Sequence, residues 1–284
     1  MSSVLSSTPI SSEDTNNESR HQNEHHMITR FEVRIFKPCL FNASTDLSIP
    51  VSVKQALQIP HWYKAMQDEY NALIENNTWS LTELSKGPTP VGCKWIFKIK
   101  YNVDGTFQRH KARLVAKGFH QQHGFDYSET FSLVVKPSTI RIVLTVVVSN
   151  NWSVHQIDIN NAFLYGDLKE TMFMPQPPGL ESANHSLVCK LNKVIYGLKQ
   201  APRSWFHKLS ATLSSLGFSS TKSDSSLFVK FHKTHTMMVL IYVDDIIITG
   251  TSTSNIQALI SCLRQHFALK DMYRLHYFLG IEAS

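Results

Sequence analysis

The sequence predicts an α+β protein in which helices pack on an antiparallel sheet. Three observations predict it. Apolar residues recur at helical spacing in four separate segments, and short apolar or β-branched runs close on tight turns in two places. These elements follow one another as helix, hairpin, helix, strand, helix, hairpin and helix, with no internal repeat.

The first helix starts at Trp62, where Trp62, Met66, Tyr70, Leu73 and Ile74 form one stripe and Asn76 and Asn77 suit the exit. The first hairpin joins Trp95 to Tyr101 and Thr106 to Ala116 through Asn102, Val103, Asp104 and Gly105, where Asp-Gly supplies the positive φ of the turn. Pro137 opens the second helix. Its Ile140, Val143, Leu144, Val147 and Val148 fall at i, i+3, i+4, i+7 and i+8, and this spacing outweighs the strand preference of β-branched residues. Val154 to Ile159 reads as a strand, and Pro175, Pro177, Pro178 and Gly179 mark a loop. The third helix begins near Pro202, carries Trp205, Leu209, Leu213 and Leu216 on one stripe, and stops at Gly217. Met237 to Val243 and Ile246 to Thr249 make the second hairpin around Asp244 and Asp245, and Ser254 caps a last helix bearing Ile256, Leu259, Ile260, Leu263 and Phe267.

Residues 1–45 are rich in Ser, Thr, Asn, Glu and His with little apolar periodicity, so a disordered polar leader is expected there and a folded region over 46–284. His21, His25 and His26 read as part of that polar tract rather than as a metal site. At 284 residues and 42% hydrophobic content the chain can bury one substantial core or two modest ones, which excludes a wholly disordered protein. Cys39, Cys93, Cys189 and Cys262 lie far apart with no Cys-x-x-Cys pair, which excludes a zinc ribbon and a disulfide framework. The longest apolar runs, such as Ile142 to Val148, fall far short of the roughly 20 residues that span a bilayer, so no membrane partner and a soluble, intracellular protein are expected. The net charge of +6 suits a polyanionic partner such as nucleic acid without demonstrating one.

Chemistry enters where charge interrupts apolar sequence. In the strand Val154 to Ile159 a period of two places Ile157 and Ile159 on one face and Asp158 on the other, away from the helix-packed side. Asp244 and Asp245 break the run Met-Met-Val-Leu-Ile-Tyr-Val-Asp-Asp-Ile-Ile-Ile, and adjacent carboxylates between buried strands repel each other unless a cation neutralises them. If the two elements are neighbours, three carboxylates converge, and hard oxygen ligands of this kind suit Mg²⁺. Taken singly, an Asp-Asp pair equally describes an ordinary hairpin turn. Arg109, Lys111 and Arg113 alternate with His110, Ala112 and Leu114, so three cations share a strand face that could grip a triphosphate or simply face solvent. Lys199-Gln200-Ala201-Pro202-Arg203 sets basic residues and an amide at a helix start, a place that attracts anions but is also an unremarked way to begin a helix.

These residues resemble the reverse transcriptases of copia-type LTR retrotransposon Pol polyproteins. The resemblance rests on Lys111-Ala-Arg-Leu-Val-Ala-Lys-Gly118, Gln156-Ile-Asp-Ile-Asn-Asn-Ala-Phe-Leu-Tyr-Gly-Asp167, Tyr196-Gly-Leu-Lys-Gln-Ala-Pro-Arg203, Tyr242-Val-Asp-Asp245 and Tyr277-Phe-Leu-Gly-Ile-Glu282, five motifs in the family's order. With the helix and turn from Trp62 to Trp79 it extends over Ile49 to Glu282. It implies a right-hand polymerase fold, with a palm sheet over about 137–284 and fingers elements with a β-hairpin over about 60–136. It also implies RNA-directed DNA polymerase activity, a nucleotidyl transfer to a primer 3′-hydroxyl that uses two Mg²⁺ ions, with Mn²⁺ as a substitute. The expected partners are an RNA or DNA template with its primer and deoxynucleoside triphosphates.

Residue by residue, Asp158, Asp244 and Asp245 resemble the metal-binding catalytic triad, and Arg113, supported by Lys111, resembles the cation that holds the triphosphate. Phe163 resembles the aromatic gate that excludes a ribose 2′-hydroxyl, Gln200 the glutamine that touches nucleotide and template, and Tyr242 and Val243 the pair beside the primer terminus. Leu279, Gly280, Ile281 and Glu282 resemble the primer grip. Two departures stand out: Leu133 where the family has Pro, and Met272-Tyr273-Arg274 in place of Leu-Gly-Glu. The family's thumb and ribonuclease H follow the primer grip and its integrase precedes this region, so the chain is expected to be a polyprotein piece without a thumb. In an active element such a piece works in a cytoplasmic virus-like particle. A non-catalytic nucleic-acid-binding remnant is the alternative, which the intact aspartates argue against.

Overall fold

The computed structural model describes residues 48–84, 87, 89–102, 104–130, 134–274, 277–278 and 281–282. The leader expected over 1–45, and Leu133, lie outside the described residues. Ser52 caps α1 (Val53–Gln58) by accepting the Gln55 N–H, and Pro60 starts α2 (Pro60–Glu75) at a position where its missing N–H costs nothing. The buried stripe of α2 is Trp62, Met66, Glu69 and Leu73, so a glutamate takes part in what the apolar pattern alone describes, while Ile74 is exposed.

The predicted first hairpin is β2 (Cys93–Tyr101) and β3 (Phe107–Ala116), paired antiparallel with Trp95 opposite Leu114. Its Cys93, Trp95, Ala112, Leu114 and Ala116 are buried in one core with Trp62, Met66 and Leu73 of α2. The pleat therefore turns Lys98, Lys100, Arg109, Lys111 and Arg113 to the opposite face. Beside it, β1 (Trp79–Glu83), β5 (Phe173–Met174) and β6 (Leu187–Leu191) form a three-stranded sheet ordered β1-β6-β5.

The larger sheet has six strands in the order β11-β4-β10-β9-β8-β7, antiparallel throughout. They are β4 (Ser153–Ile159), β7 (Ser219–Ser220), β8 (Leu227–Phe231), β9 (Thr236–Tyr242), β10 (Asp245–Gly250) and β11 (Leu269–Arg274). The helices α4 (Ala201–Ser215) and α5 (Thr253–His266) cover one face, where Trp205, Leu209, Ile256 and Ile260 meet Ile157, Ile159, Ile246 and Ile248. Ser252, rather than Ser254, caps α5: its hydroxyl accepts the Asn255 N–H. The helix α3 (Pro137–Asn150) covers part of the other face, with Ile140 against Leu240 and Ile247. Both sheet faces thus carry helices, against the expectation of one helix-packed side. More sheets are present than the palm sheet and fingers hairpin expected: with β12 (Tyr277–Phe278) and β13 (Ile281–Glu282) the described residues hold four. Alternation explains the first difference, since Ile246 and Ile248 serve one face of β10 and Ile247 the other.

Candidate active site

Asp158 is the next-to-last residue of β4 and Asp245 opens β10, and the two are direct cross-strand partners. Direct partners project to the same face, here the one that α3 covers farther along at Ile247. Asp244 lies in the two-residue loop between β9 and β10, and its carbonyl accepts the Ile159 N–H at 3.0 Å, which ties the turn to the residue after Asp158. Val243, the other loop residue, has φ +57°, a value β-branched residues seldom adopt. Its carbonyl accepts the indole N–H of Trp205 at 2.7 Å. The structure thus brings Asp158, Asp244 and Asp245 to one end of the sheet, on one wall of a cleft of about 670 Å³.

The opposite wall carries Lys100, Arg109, Lys111 and Arg113 of the β2–β3 hairpin, and Lys270 also lines the cleft. Burial pushes the Asp158 carboxyl above its ordinary value, and Asp244 and Asp245 push it further, against the pull of Lys111 and Lys270. Burial likewise raises Asp245, opposed by a hydrogen bond from the Gln156 amide at 3.3 Å and reinforced by Asp244. Lys111 is held below its ordinary value by burial and then by Arg113, Arg109 and Lys100, with Glu69 working the other way. Asp158 and Asp245 on one wall and Lys111 on the other are thus disfavoured in their charged forms by burial first and by like-charged neighbours second, a condition that a bound cation or polyanion relieves. Among the described residues no three His, Cys, Asp or Glu side chains already stand as a metal-holding cluster. The donor set fits a hard divalent ion all the same, because three carboxylates share one opening and burial disfavours the ionised form of Asp158 and Asp245 there.

Other predicted residues stand elsewhere. Phe163 sits in the short helical turn Ala162–Tyr165, with its ring 4.6 Å from that of Tyr196, and it is Tyr196 that lines the cleft. Gln200 is only 3% exposed and spends its amide inside the protein: it accepts from Gln121 Nε2 at 2.9 Å and donates to the Asp126 carbonyl at 3.0 Å. The structure does not bring Phe163 or Gln200 to the cleft lining. Tyr242 ends β9 as the partner of Asp245. Leu279 and Gly280 lie outside the described residues, and Ile281 and Glu282 form β13, paired with β12.

Sequence reading missed Glu69, Lys100, Tyr196 and Lys270 as cleft residues. Lys100 had no signal: the turn pairs Tyr101 with Phe107, and a bulge beyond it shifts the register so that Lys100 faces Arg109 rather than Gln108. Burial pushes the Tyr196 phenol up to about 12, with Arg113 opposing and Asp244, Glu69 and Asp158 adding to the rise. Tyr196 opens one of the motifs that carry the resemblance, but nothing in the apolar or charge pattern marks it for such a place.

A family model described as reverse transcriptase (RNA-dependent DNA polymerase) matches residues 76–284. The chain is 46% identical over 271 residues to the retrovirus-related Pol polyprotein from transposon RE1 of Arabidopsis thaliana, covering 92% of this chain and 18% of that protein. It is 46% identical over 268 residues to the corresponding polyprotein from transposon RE2 of the same plant, with the same coverage. With the polyprotein from transposon TNT 1-94 of Nicotiana tabacum it shares 41% over 258 residues, covering 89% of this chain and 19% of the relative. The chain thus spans about a fifth of the length of these relatives. It belongs to the reverse transcriptase (RNA-dependent DNA polymerase) family, as the reverse transcriptase domain of copia-type retrotransposon Pol polyproteins.

Proposed function

We propose that this chain carries the polymerase site of an RNA-directed DNA polymerase, with the elements over about 60–136 as fingers and those over about 137–284 as palm. The observation that carries the reading is the cleft in which Asp158, Asp244 and Asp245 face Lys111 and Arg113. The three carboxylates would hold two Mg²⁺ ions, or Mn²⁺ in their place. Such ions, when bound, lower the pKa of a primer hydroxyl and neutralise charge on departing pyrophosphate. The chain's own groups do the rest. Lys111 and Arg113 take the triphosphate of a deoxynucleoside triphosphate, Arg113 through its planar fork and Lys111 as a point charge. The β4–β10 register keeps Asp158 beside Asp245, and the Ile159 to Asp244 backbone bond keeps the turn in line with both. A cleft that holds these groups before substrate arrives spares the cost of gathering them at the moment of reaction.

The partners in this reading are an RNA or DNA template with its primer and the other domains of a Pol polyprotein, and a particle-borne, intracellular setting follows from the reading alone. No helix among the described residues is long and apolar enough to cross a membrane. The test joins residues 47–284 to the segment that follows the matched region in the RE1 polyprotein and measures Mg²⁺-dependent extension of a DNA primer on an RNA template. Asp158→Asn and Asp244→Asn should each abolish extension while leaving primer binding within about twofold. Extension by either variant at the parent rate would replace the polymerase reading with a binding role for the cleft.

A further inference from the structure

Arg113 has no acidic partner at ion-pair distance among the described residues, although three aspartates and Glu69 line the same cleft. Its Nε is buried without a hydrogen-bond partner. What holds the guanidinium is an aromatic face: its central carbon lies 3.6 Å from the centroid of the Tyr196 ring. A guanidinium laid on a ring keeps its N–H groups directed outward around the rim, so the ring holds the side chain while its terminal amino groups, unlike the buried Nε, remain available to a ligand.

The ring is itself built into the frame. Phe163 packs against it at 4.6 Å between centroids. The Tyr196 carbonyl accepts the Ala116 N–H at 2.8 Å, three residues beyond Arg113 on the same strand. Gly197, at φ +92°, has its Cα so near the Ala116 carbonyl that a β-carbon there would collide with it. The segment carrying the ring and the strand carrying the arginine are therefore held in one register by backbone contacts.

We infer that Tyr196 is the positioning residue for Arg113, its ring seating the guanidinium so that the free donors meet the triphosphate of the incoming nucleotide. This rests on the reading of Arg113 as the triphosphate cation. Phe163 packs against the ring, and a preset guanidinium loses less side-chain freedom on binding than one that must be immobilised by the ligand.

The experiment uses the whole 284-residue chain, with inorganic tripolyphosphate and dTTP as probes in Mg²⁺ buffer, read by titration calorimetry. Tyr196→Phe keeps the ring and should bind like the parent. Tyr196→Leu removes it and should weaken both probes by about five- to thirtyfold, the range of a partly desolvated cation–π contact. Arg113→Lys, which keeps charge and fold but cannot stack as a plane, should lose a similar factor. In an Arg113→Ala background, Tyr196→Leu should have no further effect, which separates positioning from general damage to the fold. If Tyr196→Leu binds like the parent, if Tyr196→Phe loses as much as Tyr196→Leu, or if the loss persists without Arg113, the positioning role is wrong while the triphosphate reading stands. If the parent binds neither probe, or Arg113→Ala binds as well as the parent, the triphosphate reading fails and the inference falls with it.

Discussion

Replacing Trp205 by Phe should loosen the turn that carries Asp244 and Asp245. The indole is 1% exposed and its N–H donates to the Val243 carbonyl at 2.7 Å, across 38 residues of chain. Phe keeps most of the ring's contacts with Tyr165 and Phe267 but supplies no donor. Leaving a partly buried carbonyl unpaired costs about 1–2 kcal/mol, and the smaller ring leaves a gap worth about 1–2 kcal/mol more. The sum, about 2–4 kcal/mol, corresponds to a fall in Tm of about 5–12 °C for a unit of this size. Urea and thermal denaturation read the loss directly. Val243→Gly supplies a second arm, because glycine adopts the positive φ of this position without the roughly 1–2 kcal/mol a β-carbon incurs. In the Trp205→Phe background Val243→Gly should recover part of the lost stability, more than it adds to the parent. A Trp205→Phe protein that melts within about 1 °C of the parent would show that the indole bond does not hold the turn.

Three further outcomes follow from other contacts. Gly197→Ala must set a β-carbon against the Ala116 carbonyl at φ +92°, and should cost about 3 kcal/mol or more in chemical denaturation, reducing soluble yield. Gln200→Leu strips partners from Gln121 and the Asp126 carbonyl and should cost about 2–3 kcal/mol, with tripolyphosphate affinity unchanged under conditions where the variant is folded; a selective affinity loss at full stability would return Gln200 to the nucleotide. Asp224 gives a pH signature. Burial alone would raise its carboxyl, but bonds from the Thr139 hydroxyl at 2.6 Å, the Lys136 N–H at 2.9 Å and the Ser226 N–H at 3.0 Å outweigh it and hold the carboxyl below its ordinary value. A depressed folded pKa means stability present above the unfolded value of about 3.9 and lost as pH falls through the folded one. Asp224→Asn should therefore be less stable than the parent at pH 7, with the gap closing below about pH 4, and a gap that widens in acid would contradict the assignment.

How much of this was legible in the sequence depends on how far each interaction reaches. The helices α2, α3, α4 and α5 were readable because each has a buried stripe of its own, and the β2–β3 and β9–β10 hairpins because a tight turn joins neighbouring runs, although a bulge shifts the β2–β3 register. The sheet β1-β6-β5 was not, because Trp79 meets Leu191 across more than a hundred residues and β5 is only two residues long. Two-residue strands have no period to detect. The three aspartates were legible as charge interrupting apolar runs, whereas the contact of Gln200 with nucleotide and template came from resemblance, and in the structure its amide is consumed by Gln121 and Asp126.

The motifs around the cleft hold more than charged residues because the two walls must be kept at a fixed spacing. The carboxylate wall belongs to the six-stranded sheet and the cationic wall to a separate hairpin, and neither sheet hydrogen-bonds to the other. Their spacing has to come from whatever joins them. Part of that joint is backbone: Ala116 donates to the Tyr196 carbonyl, Gly197 lies against Ala116, and Gly118 is so close to the Gly197 carbonyl that no side chain fits between. Gln121 adds a side-chain clamp by accepting the Lys199 N–H at 2.8 Å while bonding Gln200. From Gln200 the chain enters α4, whose Trp205 reaches back to the Val243 carbonyl and so to the Asp244 turn. A continuous path of short contacts thus runs from Arg113 through Tyr196, Gln200 and Trp205 to the aspartates. Substitutions along that path should alter the distance between the two walls without touching either set of charges, which is why Gly197 and Trp205 belong to the chemistry as much as the residues that would carry it out.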